Sequence, residues 1–141
     1  MAGFELLEHT ADIGIRAAGA TLEEAFGQAT LGLAEVLGAW RPGRGEPVGV
    51  AVEAGDVGGL LVDWLNEVLY LHEVRSAALG AVRLDRVGGG RAEGTVRLAP
   101  DAAPFDGVEV KAVTYHRLRV EPTAEPGAGR GGWIAEVYLD L

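Results

Sequence analysis

The chain has no cysteine. That excludes disulfides, thiolate zinc sites and a cysteine nucleophile. Serine occurs once, at Ser76, outside any nucleophile-elbow pattern. Lysine occurs once, at Lys111, and Asn, Gln and Met are almost absent. Nucleophilic chemistry is therefore left to threonine, Lys111 or a carboxylate. No apolar run is long enough to cross a bilayer. Residues 1–8 lack the basic region and apolar run of a signal peptide, so a cytoplasmic protein is expected. Positive charge is also scarce: 12 Lys and Arg against 21 Asp and Glu give a formal net charge of −9. A chain of this sign is a poor generic binder of nucleic acid. Only a local basic patch at Arg83, Arg86, Arg91 and Arg97 stays open.

What is present is a core. The 141 residues are 48% hydrophobic, spread along the whole length, which fits one ordered domain over 1–141. Residues 3–7 and 12–18 read as strands. Thr21-Leu-Glu-Glu24 is a capping box, and the helix it opens carries Leu22, Ala25, Phe26, Ala29, Leu33, Val36 and Leu37 at helical spacing. Gly38 stands near its end. Residues 47–53 alternate as a strand. Asp56 is placed to cap a second helix running to about residue 75. Its apolar stripe is Leu60, Leu61, Trp64, Leu65, Val68 and Leu69, extending toward His72, and its other face carries Asp63, Asn66, Glu67 and Tyr70.

Residues 81–87 and 91–98 form an expected hairpin across Gly88-Gly89-Gly90. No strand-to-helix context follows those glycines, so they mark a turn and not a phosphate loop. After a loop at 100–107, residues 108–121 read as a strand in which His116 shares the core face of Leu118 and Val120. A glycine-rich tip at 126–132 leads to the last strand, where Trp133, Ala135, Val137, Leu139 and Leu141 face one way and Ile134, Glu136, Tyr138 and Asp140 the other. Strands with two long amphipathic helices and hairpin-like connections predict an α+β fold: a mostly antiparallel sheet packed with the two helices.

Three sets of residues are candidates for chemistry. His9, Thr10 and Asp12 precede the strand of Ile13, Ile15 and Ala17, so Asp12 is either a turn cap or a ligand held on a rigid element. At the other end, the Asp140 carboxylate and the carboxylate of Leu141 lie within one residue. If the last strand pairs near the second, Asp12, Asp140 and Leu141 with water offer a hard cation the oxygens it wants. Asp63 and Glu67, four apart on a helix, lie together and invite a cation or an arginine, or simply face solvent. His9, His72 and His116 have no spacing that recommends zinc.

Four blocks carry a resemblance: His9-Thr-Ala-Asp-Ile-Gly-Ile15, Leu60-Leu-Val-Asp-Trp-Leu-Asn-Glu67, Lys111-Ala-Val-Thr-Tyr-His116 and Gly132-Trp-Ile-Ala-Glu-Val-Tyr-Leu-Asp-Leu141. They span nearly the whole chain, and in residues, order and spacing the chain resembles the archease family. The glycine-rich segments at 42–46 and 126–132 and the hairpin at 88–94 fall outside these blocks.

The resemblance implies a small α+β protein that assists the tRNA-splicing RNA ligase, which joins 2′,3′-cyclic-phosphate or 3′-phosphate ends to 5′-hydroxyl ends. That ligase is guanylylated on its own histidine, using GTP and a divalent metal. The family is held to promote that step and multiple turnover. The resemblance further implies no catalytic residues of its own and a divalent metal, calcium first, on Asp12, Asp140 and Leu141. His9, Lys111, His116, Asp63 and Glu67 are then candidates for partner contact or site support. A chaperone or adaptor serving several RNA-processing or tRNA-modification proteins is the alternative. A stand-alone hydrolase using His9, Asp12 and His116 is the enzyme reading that competes with both.

Overall fold

In the computed structural model, Thr21 and Asp56 act as the sequence predicts. The Thr21 hydroxyl accepts from the Glu24 amide at 3.1 Å, and the Glu24 carboxylate accepts from the Ala20 amide at 3.0 Å. Asp56 Oδ1 accepts from the Gly59 amide at 2.7 Å. Two otherwise unpaired helix starts are thereby satisfied. The first helix, α1, spans Leu22–Leu37 and ends at Gly38, which takes a left-handed φ of 64°. The second, α2, spans Val57–Arg75. Residues 2–8, 12–101, 105–123 and 131–141 are described, with the side chain of Glu8 left aside.

Seven strands complete the fold: β1 (Gly3–Glu8), β2 (Asp12–Gly19), β3 (Glu46–Glu53), β4 (Ala77–Gly88), β5 (Arg91–Pro100), β6 (Ala112–Pro122) and β7 (Trp133–Asp140). They make a four-stranded sheet in the order β1-β2-β7-β6 and a three-stranded sheet in the order β3-β5-β4. Every pairing between named strands is antiparallel. The expected hairpin across Gly88–Gly90 is β4–β5. Its first strand begins earlier than the alternation suggests, at Ala77, because Ala77 and Ala78 already pair with Pro100 and Ala99 of β5.

Both helices and both sheets share one core. α1 packs on β2 and reaches β4, while α2 packs on β6 and on the three-stranded sheet. Ile15 and Ala17 from β2, Phe26 and Leu33 from α1, Trp64 and Leu65 from α2, and Val137 and Leu139 from β7 are all buried in it. Each large side chain so placed contributes about 1.5–3 kcal/mol. One polar link joins the helices inside this core. The Trp64 indole donates to Thr30 Oγ1 at 3.0 Å, and that hydroxyl donates to the Phe26 carbonyl at 2.7 Å. The architecture is α+β, as the pattern of elements predicts.

Candidate functional site: one corner and one face of the four-stranded sheet

The helix-free face of the four-stranded sheet shows what the alternation in β2 and β7 set aside from the core. Antiparallel register places three rows of side chains across it.

The first row is charged. Glu136 Oε1 accepts from Arg16 Nε at 2.8 Å and from Arg119 Nη2 at 3.2 Å. Its Oε2 accepts from the Tyr138 hydroxyl at 3.2 Å. Outward, Arg16 reaches Glu5 at 3.0 Å and Arg119 reaches Glu121 at 2.8 Å, so five charges form a ladder over all four strands. Glu136 is 7% exposed. Burial pushes its carboxyl upward, but the hydrogen bonds from Arg16, Arg119 and Tyr138 outweigh that and hold it below the ordinary carboxylate range. The hydrogen bond to Glu136, then that to Glu5, raises the Arg16 guanidinium further.

The second row centres on Tyr138, which is buried although it faces away from the core. Gly14 stands directly opposite on β2, and a Cβ there would lie 2.6 Å from the ring, so only glycine leaves room for it. The Arg117 guanidinium stands 5.9 Å from the ring centroid, and the His116 ring meets it edge-on at 6.1 Å.

Both residues arrive there through an irregularity in β6. Thr114 pairs with Tyr138, yet the next pair is Arg119 with Glu136, so five steps along β6 cover two along β7. Thr114 Oγ1 opens the bulge by donating to the Tyr138 carbonyl at 3.0 Å and accepting from the His116 amide at 3.2 Å. Arg117 then takes a left-handed φ of 53°. This corrects the expectation for His116. Strict alternation places it on the core face with Leu118 and Val120, but the bulge breaks the parity and leaves His116 exposed against Tyr138.

The third row is the corner where three strand ends meet. Asp12, the first residue of β2, stands directly opposite Asp140, the last of β7, and Ala112, the first of β6, stands on the other side of Asp140. The Lys111 amide donates to the Asp140 carbonyl at 2.8 Å, and the Lys111 side chain is exposed. Directly opposed residues have Cβ atoms about 4.5–5.5 Å apart, and like charges so placed destabilise a sheet. Asp12 Oδ1 is buried and has no hydrogen-bond partner among the described residues. An unsatisfied buried acceptor of this kind costs about 1–3 kcal/mol, and more when charged. A bound cation would lessen both penalties, with Asp12 and Asp140 as the residues to hold it. The donor set therefore fits a hard divalent ion, provided other oxygens complete it. Among the described residues no three His, Cys, Asp or Glu side chains gather closely enough to hold a metal by themselves. Leu141 follows directly, its side chain packed against the core.

The remaining candidates divide. His9 lies outside the described residues. Asp63 and Glu67 line a separate shallow groove of about 460 Å³ beside β3, with Val52, Glu53, Asn66 and Tyr70. Among the described residues neither has an ion pair with Lys or Arg. His72 is buried, with Nδ1 2.6 Å from the Ala77 carbonyl, and belongs to the packing at the end of α2. Of the four arginines left open as a basic patch, Arg83 pairs with Asp85 and Arg91 with Glu93, Arg97 donates to the neutral Gly45 carbonyl, and Arg86 makes no ion pair among the described residues. Glu136, Tyr138 and Asn66 are the residues that sequence reasoning passed over. For Asn66 a signal existed, since it is the only asparagine in the chain.

Comparison with known proteins gives the family and the fold. Residues 4–141 match the family model described as "Archease protein family (MTH1598/TM1083)". The protein named "Protein archease" from Methanosarcina mazei is 36% identical over 98% of this chain and 95% of its own length. That from Thermococcus gammatolerans is 38% identical over the full length of both chains. The solution structure of protein 1598 from Methanobacterium thermoautotrophicum superposes with a TM-score of 0.70 at 32% identity, covering 99% of each chain. A Thermotoga maritima crystal structure, described as an archease and possible chaperone, shares the fold with a TM-score of 0.65 at 24% identity over 97% and 96%.

Proposed function

Because the chain belongs to the archease family, we propose that it is a non-catalytic activator of the GTP-dependent tRNA-splicing RNA ligase, acting in the cytoplasm. It promotes guanylylation of the ligase and its repeated turnover, and the bond-making chemistry stays with the ligase. The observation that carries this reading is the Asp12–Asp140 pair, two carboxylates set opposite each other, with one Asp12 oxygen that has no hydrogen-bond partner among the described residues.

Asp12, Asp140 and Leu141 are the residues that would hold a divalent cation, calcium first, with water filling its remaining positions. When bound, such an ion neutralises phosphate oxygens and orients them. The chain's own residues do the rest. β2 and β7 hold the two carboxylates on a ladder instead of a loop, the Lys111 backbone amide holds the Asp140 carbonyl, and His116 stands edge-on to Tyr138 one row away. A net charge of −9 favours docking on a basic protein surface over gripping RNA directly.

The test is ligation and guanylylation by the cognate ligase with GTP, with and without this protein. A large gain in turnover is expected, and Asp12→Ala should remove it while the variant remains folded by circular dichroism. An Asp12→Ala protein that activates as well as the parent would falsify the role given to the carboxylate pair. No gain from the parent, with the ligase itself active, would move the function to a chaperone or adaptor with other clients.

A further inference from the structure

Asp140 sits where fraying is easiest, because β2 and β6 begin beside it and β7 ends at it. β6 is moreover the edge of its sheet, with one side open. Among the described residues, a side chain closes that open side at Val113. Asn66 of α2 turns its side-chain amide onto the backbone of Val113: Nδ2 donates to the Val113 carbonyl at 3.0 Å, and Oδ1 accepts from the Val113 amide at 2.9 Å. An asparagine amide has one donor face and one acceptor face, so it satisfies both backbone groups as a neighbouring strand would.

Val113 lies one residue inside the corner. On one side of it Ala112 pairs with Asp140 and the Lys111 amide holds the Asp140 carbonyl. On the other side Thr114 opens the bulge that carries His116 to Tyr138.

We propose that Asn66 is a positioning residue for the Asp12–Asp140 pair. By fixing β6 at Val113 it fixes the backbone on which Asp140 is held, and with it the spacing of the two carboxylates. Asn66 touches neither carboxylate and acts through β6. The inference rests on the reading of that pair as a cation site, and it goes beyond it by placing one determinant of the site on α2.

Calorimetric titration with calcium chloride tests it on the full chain, with amide hydrogen exchange measured on the same samples. Asn66→Ala is expected to weaken calcium binding about tenfold, the scale on which orienting partners of metal ligands act, and to speed exchange at the Val113 and Lys111 amides. Thr30→Val serves as the control: it breaks the buried bond from Trp64 and lowers stability without touching β6. Its calcium affinity should stay within about twofold of the parent. If Asn66→Ala does not fold, Asn66→Asp carries the same expectation, because it keeps the acceptor for the Val113 amide but sets a carboxylate against the Val113 carbonyl. Unchanged affinity in a folded Asn66 variant overturns this inference and leaves the cation site standing. An equal loss in Thr30→Val overturns it as well, by reducing Asn66 to general stability. A parent that binds no calcium overturns the cation site and this inference together.

Discussion

The two sheets differ in how deeply they bury charge: both carry solvated pairs, Arg91–Glu53 in one and Arg119–Glu121 in the other, but among the described residues the four-stranded sheet alone buries an ion-paired carboxylate. In the three-stranded sheet, Arg83–Asp85 and Arg91–Glu93 are pairs two residues apart on one strand, with side chains between 38% and 74% exposed. In the four-stranded sheet, Glu136 joins Arg16 and Arg119 from two other strands, and its own side chain is 10% exposed. A solvated local pair is worth little, because water already serves both ions. A buried carboxylate that has lost its water depends on its partners, and losing them leaves a charge uncompensated. Pairing is irregular in both sheets, but the buried tyrosine and the Asp12 oxygen that lacks a partner among the described residues occur in the same sheet as that dependence. The three-stranded sheet supplies core, and the four-stranded sheet bears polar groups that the core alone does not require.

Substitutions can sharpen or break this contrast. The largest effect is expected from Glu136→Gln, which leaves Arg16 and Arg119 facing a neutral amide; urea denaturation should show a loss of about 2 kcal/mol, reduced from the fully buried case because both arginines are partly solvated. Acid should then erase the difference between parent and variant. The folded Glu136 carboxyl lies below its ordinary value, so its contribution is full above about pH 4.3 and is lost as pH falls through the lower folded value. Melting temperatures of parent and Glu136→Gln should converge in that range, and a gap that persists unchanged would remove Glu136 as its source.

Asp12→Asn is smaller and opposite in sign. Without divalent ions it should be as stable as the parent or up to about 1 kcal/mol more stable, since one of two opposed charges is gone, and it should lose the parent's stabilisation by calcium. A clear loss of metal-free stability would mean that Asp12 already has a partner. Arg83→Ala, in the other sheet, should change stability by no more than about 0.5 kcal/mol. A cost comparable to that of Glu136→Gln would break the comparison between the sheets.

Legibility in the sequence followed the range of each interaction. The caps at Thr21 and Asp56 are set by residues three apart and were readable directly. So was the alternation of β7, and from it the facing of Asp12 and Asp140, once the second and last strands pair. Glu136 and Arg16 are 120 residues apart, and no local pattern announces their bond. The β6 bulge was hidden for a different reason. Its residues keep alternating in sequence while the backbone stops alternating at Arg117, so alternation alone puts His116 on the wrong face. Asn66 looked like one more polar residue on a helix surface, because the strand it closes begins more than forty positions later.

The closure of β6 also bears on how this sheet meets other molecules. An open strand edge is a template for adding further strands, and two open edges allow addition without end. Here Asn66 occupies one edge and the bulge bends it away, while β1 forms the other, with Phe4 and Leu6 partly exposed. Along the β6 edge an added strand would meet a backbone already taken at Val113 and turned at Arg117, so that edge offers no continuous ladder for growth.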